Sequence, residues 1–200
     1  EKLLWLHGPA GTGKTIIMCA KMIQLVAESA EDYKAIVFKF SGAENNSKLY
    51  QTALMALQVD NVEMRYDYEV IQAERTQPAP SKIFYTILKK IKDNKVIVIE
   101  IIGTVRLRWL TAILKELTEL KLSYKCHFFL DDVQSVLGFN TCDVSTEFVS
   151  AVVDLSSDKF SIWLSCDIAQ SWNYLKTDDI SDLANLLSQQ PPNQRIHLTM

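Results

Sequence analysis

Two periods alternate along this chain, one suited to strands and one to helices. Leu3-Leu4-Trp5-Leu6-His7 is a short apolar run and reads as a buried strand. Ile16, Ile17, Cys19, Ala20, Ile23, Val26 and Ala27 then recur at helical spacing and predict a largely buried helix. Glu31 to Lys34 is a polar connection, Ala35 to Phe40 reads as a second strand, and Ser41-Gly42 closes it. Asn45 to Leu57 predicts a short helix through Leu49, Ala53, Leu54 and Leu57. Gln58 to Pro80 is charged and shows no sustained period; Pro78 and Pro80 mark a connection, because the core pattern resumes at once.

Ser81 is placed as the N-cap of a helix whose apolar stripe is Ile83, Phe84, Ile87, Leu88 and Ile91. Lys89, Lys90 and Lys92 crowd its last turn, where the helix dipole favours cations, and read as a solvated helix end before a nucleic-acid patch. Val96 to Ile102 is a β-branched strand ended by Gly103. Leu107 to Leu122 is the clearest amphipathic helix, through Leu110, Ile113, Leu114, Leu117 and Leu120. A strand follows at Cys126 to Leu130, ending at Asp131, then a helix at Ser145 to Leu155 and a strand at Phe160 to Ser165. Ser181 to Leu187 reads as a short helix, Pro191-Pro192 breaks the pattern, and Ile196-His197-Leu198 starts a last strand. Strands that alternate with helices and are apolar on both faces predict a parallel α/β sheet with helices on both faces. Ligands of such sheets bind at the carboxyl ends of the strands.

Composition changes this picture little. Two hundred residues suit a single domain over 1–200, and 48% apolar with 22% charged residues is ordinary for a globular protein. A net charge of −3 gives no general basic field, so nucleic acid would need a local patch. Cys19, Cys126, Cys142 and Cys166 show no C-x-x-C spacing and read as reduced, mostly buried thiols of an intracellular protein, cytoplasmic or nuclear. No apolar run reaches the ~18 residues of a membrane span, and no signal peptide is visible. The chain opens at Glu1 almost inside a core strand and stops at Met200 just after another apolar run, so both ends are expected to be cuts through a longer protein.

The candidate chemistry starts at Gly8-Pro9-Ala10-Gly11-Thr12-Gly13-Lys14-Thr15, which fits the phosphate-binding loop G-x-x-x-x-G-K-[ST] between a strand and a helix. Its backbone N–H groups would cradle phosphate at a helix N-terminus; Lys14 would reach the β- and γ-phosphates, and the Thr15 hydroxyl would ligate Mg²⁺. Mg²⁺ takes one or two further carboxylates. Phe128-Phe129-Leu130-Asp131-Asp132 supplies them at a strand end: Asp131 for the metal, Asp132 to orient or deprotonate the attacking water. Capping of the following turn is the bland reading of that pair. Glu100 also follows an apolar run, but Ile101 and Ile102 continue it, which places Glu100 inside a strand.

Asp131-Asp132-Val133-Gln134 resembles the D-E-x-Q box of superfamily-1, UvrD-like helicases. Ile162 to Ser171, with Asp167, Gln170 and Ser171, resembles that group's third motif, an apolar strand followed by G-D-x-x-Q-S. The resemblance implies a P-loop NTPase, the first of two RecA-like halves, with ATP and Mg²⁺ as cofactors and single-stranded DNA or RNA as partner. It implies a catalytic set of Lys14, Asp132 and Gln170, with Gln170 sensing the γ-phosphate. A second RecA-like half beyond Met200 would supply arginines, and schlafen-type helicases are a candidate subgroup. Three departures stand out. Asp132 replaces a Glu and is one methylene shorter; a misplacement of about 1 Å costs roughly a hundredfold in rate. Cys166 replaces a Gly. The nucleic-acid motif expected after the second strand is not evident; Phe40 could stack on a base or pack in the core, and Phe38 reads as core.

Phe129 to Val133 also resembles the hhLDDV box of NB-ARC-like signalling switches, in which exchange carries function, although Ser165-Cys166-Asp167 departs from what that family places after its next strand. A nucleotide-binding scaffold without turnover is a third reading. His7, His127, Trp109 and Trp163 read as packing residues, while Trp172 lies beside Gln170.

Overall fold

The computed structural model describes residues 3–9, 11–28, 33–41, 48–60, 65–72, 79–103, 105, 107–119, 125–133, 142–155, 160–167 and 195–197. Strands are β1 (Leu3–His7), β2 (Tyr33–Ser41), β3 (Tyr66–Gln72), β4 (Val96–Ile102), β5 (Lys125–Asp131), β6 (Phe160–Cys166) and β7 (Arg195–His197). Helices are α1 (Lys14–Glu28), α2 (Lys48–Asp60), α3 (Pro80–Ile91), α4 (Leu107–Glu119) and α5 (Cys142–Leu155).

The strands form one seven-stranded sheet in the order β3-β4-β2-β5-β6-β1-β7, and every pairing is parallel. Successive side chains of a strand point to opposite faces, so each strand feeds two cores. On one face Ile36, Phe38, Ile97, Ile99, Phe128, Leu130, Ile162 and Leu164 pack with α3, α4 and α5. On the other Leu4, Leu6, Val37, Val98, Phe129 and Trp163 pack with α1 and α2. This is the expected parallel α/β sheet with helices on both faces.

Several boundaries differ from the expectation. The unreadable stretch from Gln58 to Pro80 contains β3, an edge strand whose residues are mostly half-buried. Its charges answer those of α3: Lys90 pairs with Asp67 at 2.9 Å and Glu69 at 2.7 Å, so the lysine-rich helix end is partly tied to the sheet edge. Ser81 is not the cap of α3. The helix starts one residue earlier, at Pro80, whose fixed φ and missing N–H suit a first turn, and Ala79 stands at the cap without a side-chain bond. α2 runs from Lys48 to Asp60, three residues beyond Leu57, and α5 starts at Cys142, ahead of Ser145. The helix expected at 181–187 and Leu198 lie outside the described residues. Among the described residues no helix is long and apolar enough to cross a membrane.

Candidate functional site

β1 delivers the chain to the loop at the carboxyl edge of the sheet, and α1 leaves it. Gly11 and Gly13 hold φ of 79° and 84°, a region that L side chains rarely adopt. A Cβ at either would meet nothing within 4 Å, so backbone conformation and not crowding is what calls for glycine here. Thr12 ties the loop by donating its hydroxyl to the Pro9 carbonyl at 2.8 Å, and the N–H of Ile17 bonds the Gly13 carbonyl at 2.9 Å to begin α1. Lys14 folds back over the loop and donates to the carbonyls of Gly8 at 2.7 Å and Pro9 at 2.8 Å. The loop and Lys14 are thus one unit at the N-terminus of α1, a place suited to a phosphate.

The neighbouring unit is a polar rung across the α1–α2 face. Lys39 on β2 is in register with Glu100 on β4 and with Asp131 on β5. Leu130 is in register with Leu164, which sets Ser165 of β6 beside Asp131. These residues are almost fully buried, Asp131 and Ser165 at 0%, Glu100 at 1% and Lys39 at 2% exposure. Buried charge requires partners, and Asp131 has four. Its Oδ1 accepts from Thr15 Oγ1 at 3.3 Å and from the Ser165 hydroxyl. Its Oδ2 accepts from Tyr50 of α2 at 3.2 Å and faces Lys39 Nζ at 3.2 Å. Glu100 accepts from Tyr68 of β3 and is an interior strand residue, as its sequence context predicts.

Asp132 leaves the strand end with φ of 61°, the only positive value among non-glycine residues described. Asp and Asn enter this region more readily than longer residues, which gives a backbone reason for Asp where the resembling family has Glu. Its N–H bonds Ser165 Oγ at 3.0 Å, and its carboxylate pairs with Lys39. Lys39 therefore bridges both aspartates. Burial pulls its pKa down, but Asp131 and then Asp132 outweigh that and leave it raised. Tyr50 is pushed well above the ordinary tyrosine value by burial first and Asp131 second, so its hydroxyl remains a donor. Cys19, beside this cluster, is pushed up to about 12, mainly by burial and then by Asp131.

Of the residues singled out in the sequence, Gly8, Pro9, Gly11, Thr12, Gly13, Lys14 and Thr15 form the loop, and Asp131 and Asp132 lie next to it. Ala10, Gln134, Gln170 and Trp172 lie outside the described residues. Phe40 is a core residue at 2% exposure, which removes it as a stacking platform; at the end of a strand covered by α3 and α4 it has no open face. Cys166, which stands where the resembling family has Gly, continues β6 in register with His7. Trp109 and Trp163 are buried. Lys39, Tyr50 and Ser165 were not singled out as site residues. Their signal was a Lys between Phe38 and Phe40, on an inward position of an apolar strand, where only a buried carboxylate could balance it.

The donor set matches a phosphate-bound divalent cation. Among the described residues no group of three or more His, Cys, Asp and Glu side chains forms a protein-only cage. Mg²⁺ in phosphate sites instead uses one or two carboxylates with phosphate oxygens and water, and the Thr15 hydroxyl and Asp131 could hold it in that way.

A family model described as Nephrocystin 3, N-terminal, matches residues 1–102, which run through the end of β4. No curated protein matches the sequence. Among solved structures, one ATPase domain is similar with a TM-score of 0.49 at 8% identity, over 92% of this chain and 65% of that one. A protein from Pyrococcus horikoshii OT3 is similar with a TM-score of 0.47 at 10% identity, over 99% and 82%. The Aeropyrum pernix ORC1 protein, solved in complex with DNA, has a TM-score of 0.38 at 10% identity, over 96% and 45%. The chain thus spans 65% of the similar ATPase domain and less than half of ORC1.

Proposed function

The chain belongs to the nephrocystin 3 N-terminal family, and from that premise and the site geometry we propose that it binds ATP with Mg²⁺ and hydrolyses it slowly. The observation that carries this reading is the meeting of Thr15 and Asp131, 116 residues apart, at 3.3 Å beside the loop. Bound Mg²⁺ would neutralise charge on the β- and γ-phosphates. The chain's own groups do the rest. The N–H groups of the loop orient the phosphates, and Lys14 moves from the Gly8 and Pro9 carbonyls to the phosphate oxygens. Thr15 and Asp131 hold the metal, and Asp132 accepts a proton or hydrogen bond from the attacking water. Gln170 as γ-phosphate sensor remains part of the proposal on the strength of its motif. Slow turnover follows from the short Asp132 side chain and from the need for its ion-pair partner Lys39 to leave it first.

The UvrD-like or schlafen-type reading, in which one domain over 1–200 works with a second RecA-like half on single-stranded DNA or RNA, rests on the D-D-V-Q and C-D-x-x-Q-S motifs. An intracellular setting suits the buried free thiols Cys19, Cys126 and Cys166. One observation favours the exchange-switch reading as a second: the water-orienting carboxylate is held by a buried lysine, an arrangement suited to holding nucleotide longer than cleaving it. The test is ATP and ADP binding by the full-length protein, with strand-stimulated turnover. Lys14→Ala is expected to weaken binding at least about tenfold, the loss of charge-assisted hydrogen bonds. Unchanged affinity would refute the site. Turnover raised by single strands supports the helicase-like reading, and retained ADP with no strand effect supports the switch.

A further inference from the structure

Lys39 has a carboxylate on each side of it in one rung of the sheet. Asp131 is its register partner on β5 and Glu100 its register partner on β4. All three follow the alternation of Ala35 and Val37, Val96 and Val98, and Phe129, and so face α1 and α2. The ammonium lies on the Asp131 side, 3.2 Å from Oδ2, and also pairs with Asp132. A carboxylate offers about four acceptor positions, and Thr15, Ser165, Tyr50 and Lys39 fill those of Asp131. A metal that draws on Asp131 therefore competes with Lys39. Yet Lys39, at 2% exposure, cannot simply give up its partners, because a lone buried ammonium is strongly disfavoured. Glu100 supplies the alternative. It is buried at the same rung, one strand away, about 5 Å across the sheet and within the swing of a flexible four-carbon stem.

We propose that Lys39 is an internal cation with two stations, Asp131–Asp132 and Glu100, and that Mg²⁺ and nucleotide binding drives it from the first to the second. The inference rests on the reading of this site as a Mg²⁺–nucleotide site. Lys39 stays protonated at both stations, so charge moves across the sheet without a proton transfer. Its departure frees the Asp132 carboxylate to meet water, which couples metal binding to readiness for hydrolysis. Glu100 and Tyr68 act as positioning residues at the far station.

The test is a Mg²⁺ titration of ADP binding to the full-length protein by calorimetry, which needs no turnover. Removing the competitor in Lys39→Met is expected to lower the Mg²⁺ concentration for half-maximal binding about tenfold, and Glu100→Gln, which removes the far station, to raise it about tenfold. In Lys39→Met/Glu100→Gln the Glu100 effect should vanish, because no cation is left to receive. Equal Mg²⁺ requirements in wild type and Lys39→Met, or a Glu100 effect undiminished in the double variant, would overturn the inference. If Lys39→Met does not fold, Glu100→Gln decides alone: a raised requirement supports the two stations and an unchanged one overturns them. Failure of the wild type to bind ADP at any Mg²⁺ concentration defeats the nucleotide reading itself. Binding that is lost in Lys14→Ala, with the same Mg²⁺ requirement in Lys39→Met, defeats only the role of Lys39.

Discussion

Tyr50 on α2 donates a hydrogen bond to Asp131 on β5 at 3.2 Å, across 81 residues of chain. The contact joins a helix that reads as ordinary packing to the carboxylate on which the site turns. Tyr50→Phe keeps the ring and leaves buried Asp131 one donor short. We expect a loss of about 1.5–3 kcal/mol in urea unfolding, the range for hydrogen bonds to charged groups. A loss near zero would mean that the hydroxyl contributes little to holding Asp131.

The backbone of Asp132 governs which substitutions are informative there. At φ 61° Asn is tolerated, so Asp132→Asn should fold and bind nucleotide but lose turnover by roughly 10²–10⁴, the usual worth of a general base. Asp132→Glu restores the residue type of the resembling helicases, yet should not raise turnover, because the longer side chain is less suited to positive φ. Steady-state ATPase assays with both variants check the pair. Faster turnover in Asp132→Glu would show that side-chain length alone limits the rate.

His127 predicts a pH dependence of stability. It is buried on β5, with Nδ1 2.6 Å from Ser161 Oγ and its ring stacked on Tyr33 at 5.1 Å. Burial, with a further push from Lys21, lowers its pKa from 6.5 to about 4. The unfolded chain therefore takes up this proton near 6.5 and the folded chain only near 4. The stability contribution is complete above the higher value and is lost as pH falls towards the lower. Urea midpoints at about pH 7.5 and about pH 4.5 should lie closer together in His127→Gln than in the wild type. An equal gap in both would assign the acid sensitivity to other groups.

Phe40 separates packing from recognition. Phe40→Ala should cost about 3–5 kcal/mol of stability, as for other buried aromatic truncations, and leave single-strand affinity unchanged where the protein remains folded. Fluorescence anisotropy with a labelled oligonucleotide checks the second half. A selective loss of strand affinity would contradict the core placement.

The sheet and the loop were legible because their signals are local. Glycines at a fixed spacing, an apolar strand before them and an apolar helix after them identify the phosphate loop without tertiary information. Apolar runs buried on both faces likewise identify β2, β4, β5 and β6. β3 was not legible, since an edge strand alternates half-exposed Asp67 and Glu69 with aromatic residues and has no apolar face long enough to stand out. The polar rung was hidden for another reason. Lys39, Glu100 and Ser165 come from three strands that only the parallel register sets around Asp131, and Tyr50 reaches the rung from α2. A charged residue at an inward strand position announces that a partner exists, but not which one.

β1 comes first in the described chain but lies between β6 and β7 in the sheet. During synthesis the strand that carries the loop therefore emerges long before either of its edges can be covered. Roughly 150 residues separate His7 from the start of β6, and at about 5–20 residues per second the ribosome needs on the order of 10–30 s to supply them. β2, β3, β4 and β5 can pair among themselves in that interval, while Leu3 to Leu6 remain an open apolar strand. The nascent chain is most in need of a chaperone at the segment that carries β1, and the phosphate loop gains its framework only when β6 arrives.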